Sequence, residues 1–357
     1  MIIVKMNKNI NFSNYAPLIL FTYNRLEVLQ KTINALSKNH NIEKTELYIF
    51  SDGPKNNRED ILKVNEVREY LKSLKKFTKS ISFYEHDKNL GLANSIIFGI
   101  NKISKKYKNF IVLEDDLETS EYFINYMNES LKRYENNLNV WSINGMGIKK
   151  NLLEFPNSYR YNTYFTYRSS SHGWSSWSNR WSKAVWEDNQ IKKEIFKFNN
   201  YRNFLKGGRD LSDILIQQLN QKNDSWWIKW HFTISKNKAV SLSPMYSHVS
   251  AQTDPDGTHI RVYMEILDND LSKAHQDIYF PETVDVNYEI AKELSSIFIS
   301  KYASDIKTPK IFSGRKNTFI SFLEYLEFFI KYFEAKYTIK AKVHKVKGFI
   351  KHYLGKK

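Results

Sequence analysis

The 357-residue chain contains no cysteine, which excludes disulfides and thiolate metal sites and points to a reducing compartment. It has no uninterrupted apolar run of about 18 residues, the length a membrane-spanning helix needs. Residues 1–14 are polar and Asn-rich, without the apolar core and small-residue cleavage site of a signal peptide. No internal repeat is apparent. A basic groove spread over the body is also missing. The net charge is +16, and the stretch from Lys301 to Lys357 alone holds 14 Lys/Arg against 4 Asp/Glu. That placement argues against a nucleic-acid binder and for an anionic surface as partner.

What is present is a globular composition, 41% hydrophobic and 15% aromatic, in a chain long enough for one large domain with an appendage or for two domains. Over the first 140 residues strand-like apolar runs alternate with amphipathic helical ones. Residues 17–23, 46–52, 80–85 and 110–113 read as strands, and 26–38, 58–75, 92–105 and 120–134 as helices. This alternation predicts an α/β fold with a mostly parallel sheet covered by helices on both faces. In such a sheet the carboxyl ends of the strands share one edge, where ligands bind. Thr22-Tyr23-Asn24-Arg25, Ser51-Asp52-Gly53, His86 to Gly91 and Glu114-Asp115-Asp116 are therefore expected along one crevice.

The acidic triplet carries the most information. Adjacent carboxylates cannot be buried unpaired, and at a sheet edge they read as a site for a hard cation that holds phosphate oxygens. Taken alone, a solvated acidic turn explains them as well. Beyond Val140 the texture changes, and all eight tryptophans lie between Trp141 and Trp230, as core residues or as platforms for sugar rings. Gly207-Gly208 precedes a helical run at 211–219. A second run at 226–236 leads to a strand at 239–242, and the loop 254–259 is dense in turn formers. In the tail, Phe319 to Phe333 is apolar around most of its circumference. Ile339, Val343, Val346, Ile350 and Tyr353 then form an apolar face among lysines, the pattern of a basic amphipathic helix at an anionic membrane. A helix packed on the body or in an oligomer gives the same pattern.

In order, Thr22-Tyr23-Asn24-Arg25, Ser51-Asp52-Gly53-Pro54, Asn89-Leu90-Gly91-Leu92-Ala93 and Glu114-Asp115-Asp116 resemble the motifs of GT-A glycosyltransferases. More narrowly, they are similar to bacterial family 2-like enzymes and to the N-acetylglucosaminyltransferase I group, whose Asp-x-Asp motif has a Glu-Asp-Asp version. The segments Gly173 to Trp181 and Asp224 to Trp230 are similar to Gly-Trp-x-x-Trp and Asp-Ser-Trp-x-x-x-Trp blocks of those enzymes, and Asp256-Gly257-Thr258-His259 to a further block. The resemblance spans about residues 16–261, and several motifs in order are more specific than any one. Two departures stand out: Lys229 where relatives often carry Arg, and Ser250-Ala251-Gln252-Thr253 in place of Asn-Ile-Gly before Asp-Gly.

The resemblance implies a GT-A (Rossmann-like) catalytic domain at 16–265, with a nucleotide-sugar half at 16–140 and an acceptor half at 141–265. An arm at 1–15, a connecting segment at 266–310 and a basic helical tail at 311–357 complete the chain. It implies a UDP-sugar as donor, with Thr22, Tyr23, Asn24 and Arg25 flanking base and ribose, Asp52 accepting from a uracil N–H, and Asn89 and Gly91 bordering the nucleotide. Asp116 would ligate Mn²⁺ or Mg²⁺, with Glu114 and Asp115 holding metal-bound water or ribose hydroxyls and His259 a weaker metal or phosphate contact. Asp224 is the candidate base for an inverting transfer, with Asp210 and Asp213 as neighbours in sequence; a helix N-cap is the structural alternative for Asp224. Trp174, Trp177 and Trp226 are candidates for the sugar sites, with core packing as their alternative. The acceptor would be a hydroxyl of a cell-surface glycan or glycolipid, met by a peripheral enzyme on the cytoplasmic face of the membrane. A sugar nucleotidyltransferase would want a Gly-rich loop after the first strand, where this chain has none. A catalytically inactive carbohydrate-binding protein of the same fold is the non-enzymatic alternative.

Overall fold

The computed structural model describes residues 15–149, 151–252, 270–298, 322 and 325–332. The chain forms two compact units. Unit 1 comprises Met1–Lys183 with Val240–Val286, and unit 2 comprises Ala184–Ala239 with Asn287–Lys357. Spatial grouping thus divides the chain differently from a simple break at residue 140: the segment 184–239 leaves the first unit and the chain returns to it at Val240.

Unit 1 is built on an eight-stranded sheet in the order β3-β2-β1-β4-β8-β6-β9-β7. The strands are β1 (Leu18–Thr22), β2 (Glu46–Ser51), β3 (Ser80–Glu85), β4 (Asn109–Glu114), β6 (Val140–Asn144), β7 (Thr163–Thr166), β8 (Trp174–Trp177) and β9 (Val240–Pro244). Six run the same way; β7 and β8 oppose them. The mostly parallel sheet expected from the alternation is therefore observed. β1 lies between β2 and β4, which is why LILFT is apolar at nearly every position and buried throughout. β3, at the edge, is half-buried or exposed at every position.

Four helices of unit 1 follow the expected spans closely: α1 (Leu26–Ser37), α2 (Arg58–Ser73), α3 (Leu92–Ser104) and α4 (Phe123–Tyr134). Each buries one apolar stripe, such as Leu29, Ile33 and Leu36 of α1. A short ribbon of β5 (Leu117–Thr119) and β10 (Val249–Ala251) pairs antiparallel just past the acidic triplet. The short helix α5 (Ser178–Trp181) ends the Trp-rich segment of this unit.

Unit 2 is helical among the described residues, with α6 (Asp188–Ile195), α7 (Phe198–Leu205), α8 (Asp210–Leu219), α9 (Trp226–Lys236) and α10 (Tyr288–Ile297). Its core gathers Ile191, Ile195, Phe204, Leu211, Leu215, Ile228 and Phe232. Residues 325–332 are helical and lay Phe328 and Tyr332 into that core; Tyr325 donates to the Phe196 carbonyl at 2.7 Å. The start of the apolar tail therefore packs on unit 2, while residues 333–357, which carry the basic amphipathic pattern, lie outside the described residues. No helix among the described residues is long and apolar enough to cross a membrane.

Candidate functional site

The ends of β1, β2 and β4 converge because these strands are parallel neighbours, Thr22 pairing with Ser51 and Phe21 with Glu114. The three motifs that follow them meet there. The residues after β1 are fixed by two different acids. Tyr23 Oη donates to Asp60 Oδ2 and Asn24 Nδ2 to Asp60 Oδ1 at 2.6 Å, and the Lys55 N–H donates to the same carboxylate. Asp60 lies in the first turn of α2, its N–H capped by Asn57 Oδ1 at 2.9 Å. Burial works to raise the Asp60 carboxyl, but the bonds from Tyr23, Lys55 and Asn24 outweigh it and hold it below its ordinary value. Burial and Asp60 together push the Tyr23 phenol well up.

Asp60 did not emerge from the sequence as a site residue. Its signal was present as an acid three positions after Asn57 at a helix start, though nothing local shows that a β1-end tyrosine and asparagine would reach it. Arg68 was also missed. It donates to Ser51 Oγ at 3.2 Å and to the Asp52 and His86 carbonyls at 3.3 and 2.7 Å, tying the ends of β2 and β3 together.

Asp52 is buried and fully engaged. Oδ1 accepts from the N–H groups of Gly53 and Leu90 at 2.8 and 2.9 Å. Oδ2 accepts from the Gly91 N–H at 3.1 Å and from Asn89 Nδ2 at 3.3 Å. A carboxylate has about four acceptor directions, and all four are filled from within the chain. Asp52 therefore fixes the Asn89–Gly91 turn, and an expected contact to a base N–H would need one of these bonds to give way. Glycine is required on both sides of the arrangement. Gly91 has φ +78, a conformation other residues rarely take. A Cβ on Gly53 would stand 2.3 Å from the Lys88 backbone carbon.

The acidic triplet divides its labour. Asp115 is buried; its Oδ1 accepts from Arg25 Nη2 and its Oδ2 from the Tyr23 N–H at 3.1 Å. Burial pushes its carboxyl up to about 6, with Arg25 pulling it down and Asp116 adding to the rise. Glu114, half-buried, is raised well above the usual range by burial and by Asp116 and Asp115. Asp116 is the open member. Its side chain is 29% exposed, and Oδ2 lies 3.1 Å from the same Arg25 Nη2, while Oδ1 has no hydrogen-bond partner among the described residues. Each Asp115 oxygen accepts an inward bond, whereas Asp116 Oδ1 accepts none among the described residues.

The backbone of the triplet is held as well. Thr32 Oγ1 of α1 donates to the Asp115 carbonyl at 2.7 Å. Gln252 donates its N–H to the Asp116 carbonyl at 2.9 Å and its Nε2 to Thr32 Oγ1 and the Val28 carbonyl, both at 3.0 Å. Thr22 Oγ1 and Gln252 Oε1 are buried without a hydrogen-bond partner among the described residues. No group of three or more His, Asp or Glu converges as a metal cage among the described residues. Mg²⁺ ordinarily takes one or two carboxylates and fills the rest of its shell with substrate phosphates and water. One open carboxylate oxygen on Asp116 fits that donor set.

The remaining expected residues fall elsewhere. Trp174 and Trp177 are fully buried in β8. Trp174 packs edge-on against Phe110 at 5.7 Å, and Trp177 donates to the Leu131 carbonyl at 3.2 Å. Both are core residues, the alternative that the sequence left open, because a residue with no exposed face cannot stack on a sugar. Trp226 is buried within unit 2. Asp224, Asp210 and Asp213 also belong to unit 2. The N-cap of α9 is Ser225, whose Oγ accepts from Ile228 N, so Asp224 stands one residue outside the cap, exposed and without a hydrogen bond among the described residues. Its neighbour is pinned: the Ser225 N–H donates to Gln218 Oε1 at 2.7 Å. Gln218 in turn reaches Asp188, which pairs with Lys229 at 3.0 Å. Asp210 opens α8 and is buried, and Asp213 lies in its first turn, half-buried. His259 lies outside the described residues.

Residues 18–196 match the family model of glycosyl transferase family 2. No curated protein matches the chain. Among solved structures it is similar to Staphylococcus aureus TarS 1-349 in complex with UDP-GlcNAc, at 11% identity, covering 89% of this chain and 80% of that one, with a TM-score of 0.43. It is also similar to the mannosyltransferase PcManGT from Pyrobaculum calidifontis in complex with GDP-Man and Mn²⁺, at 9% identity, covering 63% and 69%, with a TM-score of 0.35.

Proposed function

This chain belongs to glycosyl transferase family 2, and on that premise we propose a metal-dependent, inverting transfer of a sugar from a UDP-sugar to an acceptor hydroxyl. The observation that carries the proposal is the junction of the β1, β2 and β4 ends. There Asp116 keeps a carboxylate oxygen without a hydrogen bond among the described residues, while the carboxylates of Asp52, Asp60 and Asp115 are spent on fixing the motifs around it. Arg25, Asn24 and the Thr22–Tyr23 backbone would border the ribose and base, and Asp52 holds the Asn89–Gly91 turn in place for the nucleotide. The solved structures above hold UDP-GlcNAc in one case and GDP-Man with Mn²⁺ in the other; the sugar itself we take to be a hexose or N-acetylhexosamine.

When bound, Mn²⁺ or Mg²⁺ would offset charge that develops on the leaving nucleoside diphosphate. Asp116 would hold it, with Glu114 and Asp115 in support and His259 as a further ligand. On the acceptor side Asp224 takes the proton from the attacking hydroxyl. The acceptor oxygen then forms its bond to the anomeric carbon as the bond from that carbon to the diphosphate oxygen breaks, with inversion. Asp224 suits this role because it is exposed while the next residue is fixed by Gln218, and Asp210 and Asp213 are the alternatives in the same unit.

The acceptor is a cell-surface glycan or lipid-linked saccharide. The basic tail 311–357 would hold the enzyme on the anionic cytoplasmic face of the membrane, which co-sedimentation of the full chain with anionic but not neutral vesicles tests. For the reaction, a panel of nucleotide sugars with Mn²⁺ is scored for donor hydrolysis and for product anomer. Asp116→Ala is expected to lose metal-dependent turnover, and Asp224→Asn to lose transfer while still binding UDP. Full activity of Asp116→Ala, or a retained anomeric configuration, would overturn the metal role or the inverting mechanism respectively.

A further inference from the structure

Arg25 Nη2 contacts a carboxylate oxygen of Asp115 and, at 3.1 Å, one of Asp116. One nitrogen lying between two carboxylates on consecutive residues takes the place that a bridging cation would take, and it supplies the positive charge the pair needs. The guanidinium is not locked in the core, since 24% of the Arg25 side chain is exposed. Asp115 has a second bond, from the Tyr23 N–H, whereas Asp116 depends on Arg25 alone among the described residues and is the more exposed of the two acids.

We propose that Arg25 is a resident counter-cation of the Asp115–Asp116 pair, so that a divalent cation binds weakly to the free enzyme and enters together with the nucleoside diphosphate. This rests on the reading of Asp116 as the metal ligand. A cation approaching Asp116 without a nucleotide meets the like charge of Arg25 within the same contact shell, and the two compete for one carboxylate. A diphosphate changes the balance in two ways. It brings its own oxygens to the cation, and it offers the Arg25 guanidinium an acceptor that matches its planar fork. Arg25 then leaves Asp116 without giving up its compensation, retaining Asp115 or moving to a phosphate.

The test reads metal binding directly. Mn²⁺ binding is titrated by electron paramagnetic resonance on the full chain, with and without UDP, for the wild type, Arg25→Gln and Arg25→Lys. In the wild type, UDP is expected to tighten Mn²⁺ binding by about tenfold or more, the scale of removing one like charge from a partly exposed contact shell. Arg25→Gln should bind Mn²⁺ without UDP about tenfold more tightly than the wild type, while Arg25→Lys, which keeps the charge, stays near the wild type. Equal nucleotide-free Mn²⁺ affinity in the wild type and Arg25→Gln, with UDP still assembling a Mn²⁺ complex, overturns the counter-cation and leaves the metal site standing. Failure of the wild type to bind Mn²⁺ even with UDP overturns both. If Arg25→Gln does not fold, the wild-type titrations decide: Mn²⁺ affinity unchanged by UDP overturns the proposal.

Discussion

Asp52→Asn separates an acid that touches the nucleotide from one that builds the turn beside it. In the structure both oxygens are occupied, by the N–H groups of Gly53, Leu90 and Gly91 and by Asn89 Nδ2. Asparagine replaces one acceptor oxygen by an amide nitrogen, so two of the four bonds are lost and two donors face a third. Hydrogen bonds to a charged acceptor contribute about 1.5–3 kcal/mol each, and since the turn is half-buried, water recovers part of the loss, leaving about 3 kcal/mol. With a urea m-value of about 2–3 kcal/mol per molar, the midpoint should fall by about 1 M. Urea unfolding followed by tryptophan fluorescence, with UDP affinity measured by calorimetry on the folded protein, makes the comparison. Stability and UDP affinity are expected to fall together, because the Asn89–Gly91 turn loosens. An unchanged midpoint combined with abolished UDP binding would refute the reasoning and return Asp52 to direct base recognition.

Two further perturbations test the frame around the site. His248 is buried, with Nδ1 at 2.9 Å from Ser120 Oγ and its ring stacked on Tyr126 at 4.5 Å; burial, with a smaller push from His275, lowers its pKa to about 3. The unfolded chain therefore binds the extra proton first, and stability falls as pH drops from about 6.5 toward 3, by about 2 kcal/mol at pH 5 relative to pH 7. His248→Gln should remove that part of the slope in denaturation curves, and identical pH dependence in the two proteins would count against the buried neutral imidazole. Trp174→Ala should cost about 3–5 kcal/mol by opening a core cavity, with acceptor KM unchanged in the folded fraction. A stable variant with a raised acceptor KM would return Trp174 to the sugar site.

The sequence by itself determined the helices and parallel strands of the first half and the edge on which the motifs meet. Period-2 and period-3.6 patterns are local, and a run as short as LILFT, set before an amphipathic helical stretch, reads as a strand buried on both faces. It also pointed to the acidic triplet, since three adjacent acids after a buried strand must reach a cation or solvent, and the family resemblance marked Asp116 within it. Pairing between distant segments is where local pattern fails. The antiparallel strands β7 and β8 and the β5–β10 ribbon are not predicted by the local pattern, because what makes them strands is a partner far away in sequence. The division of labour among the carboxylates was likewise a tertiary decision. Asp52 and Asp116 look alike in sequence, yet one is saturated by a turn 37 to 39 residues away while the other has an oxygen without a hydrogen bond among the described residues. Arg25 meets its acids across about 90 residues. Only the folded sheet brings those donors within hydrogen-bond range, and that range decides which carboxylate is structural and which is left for a ligand.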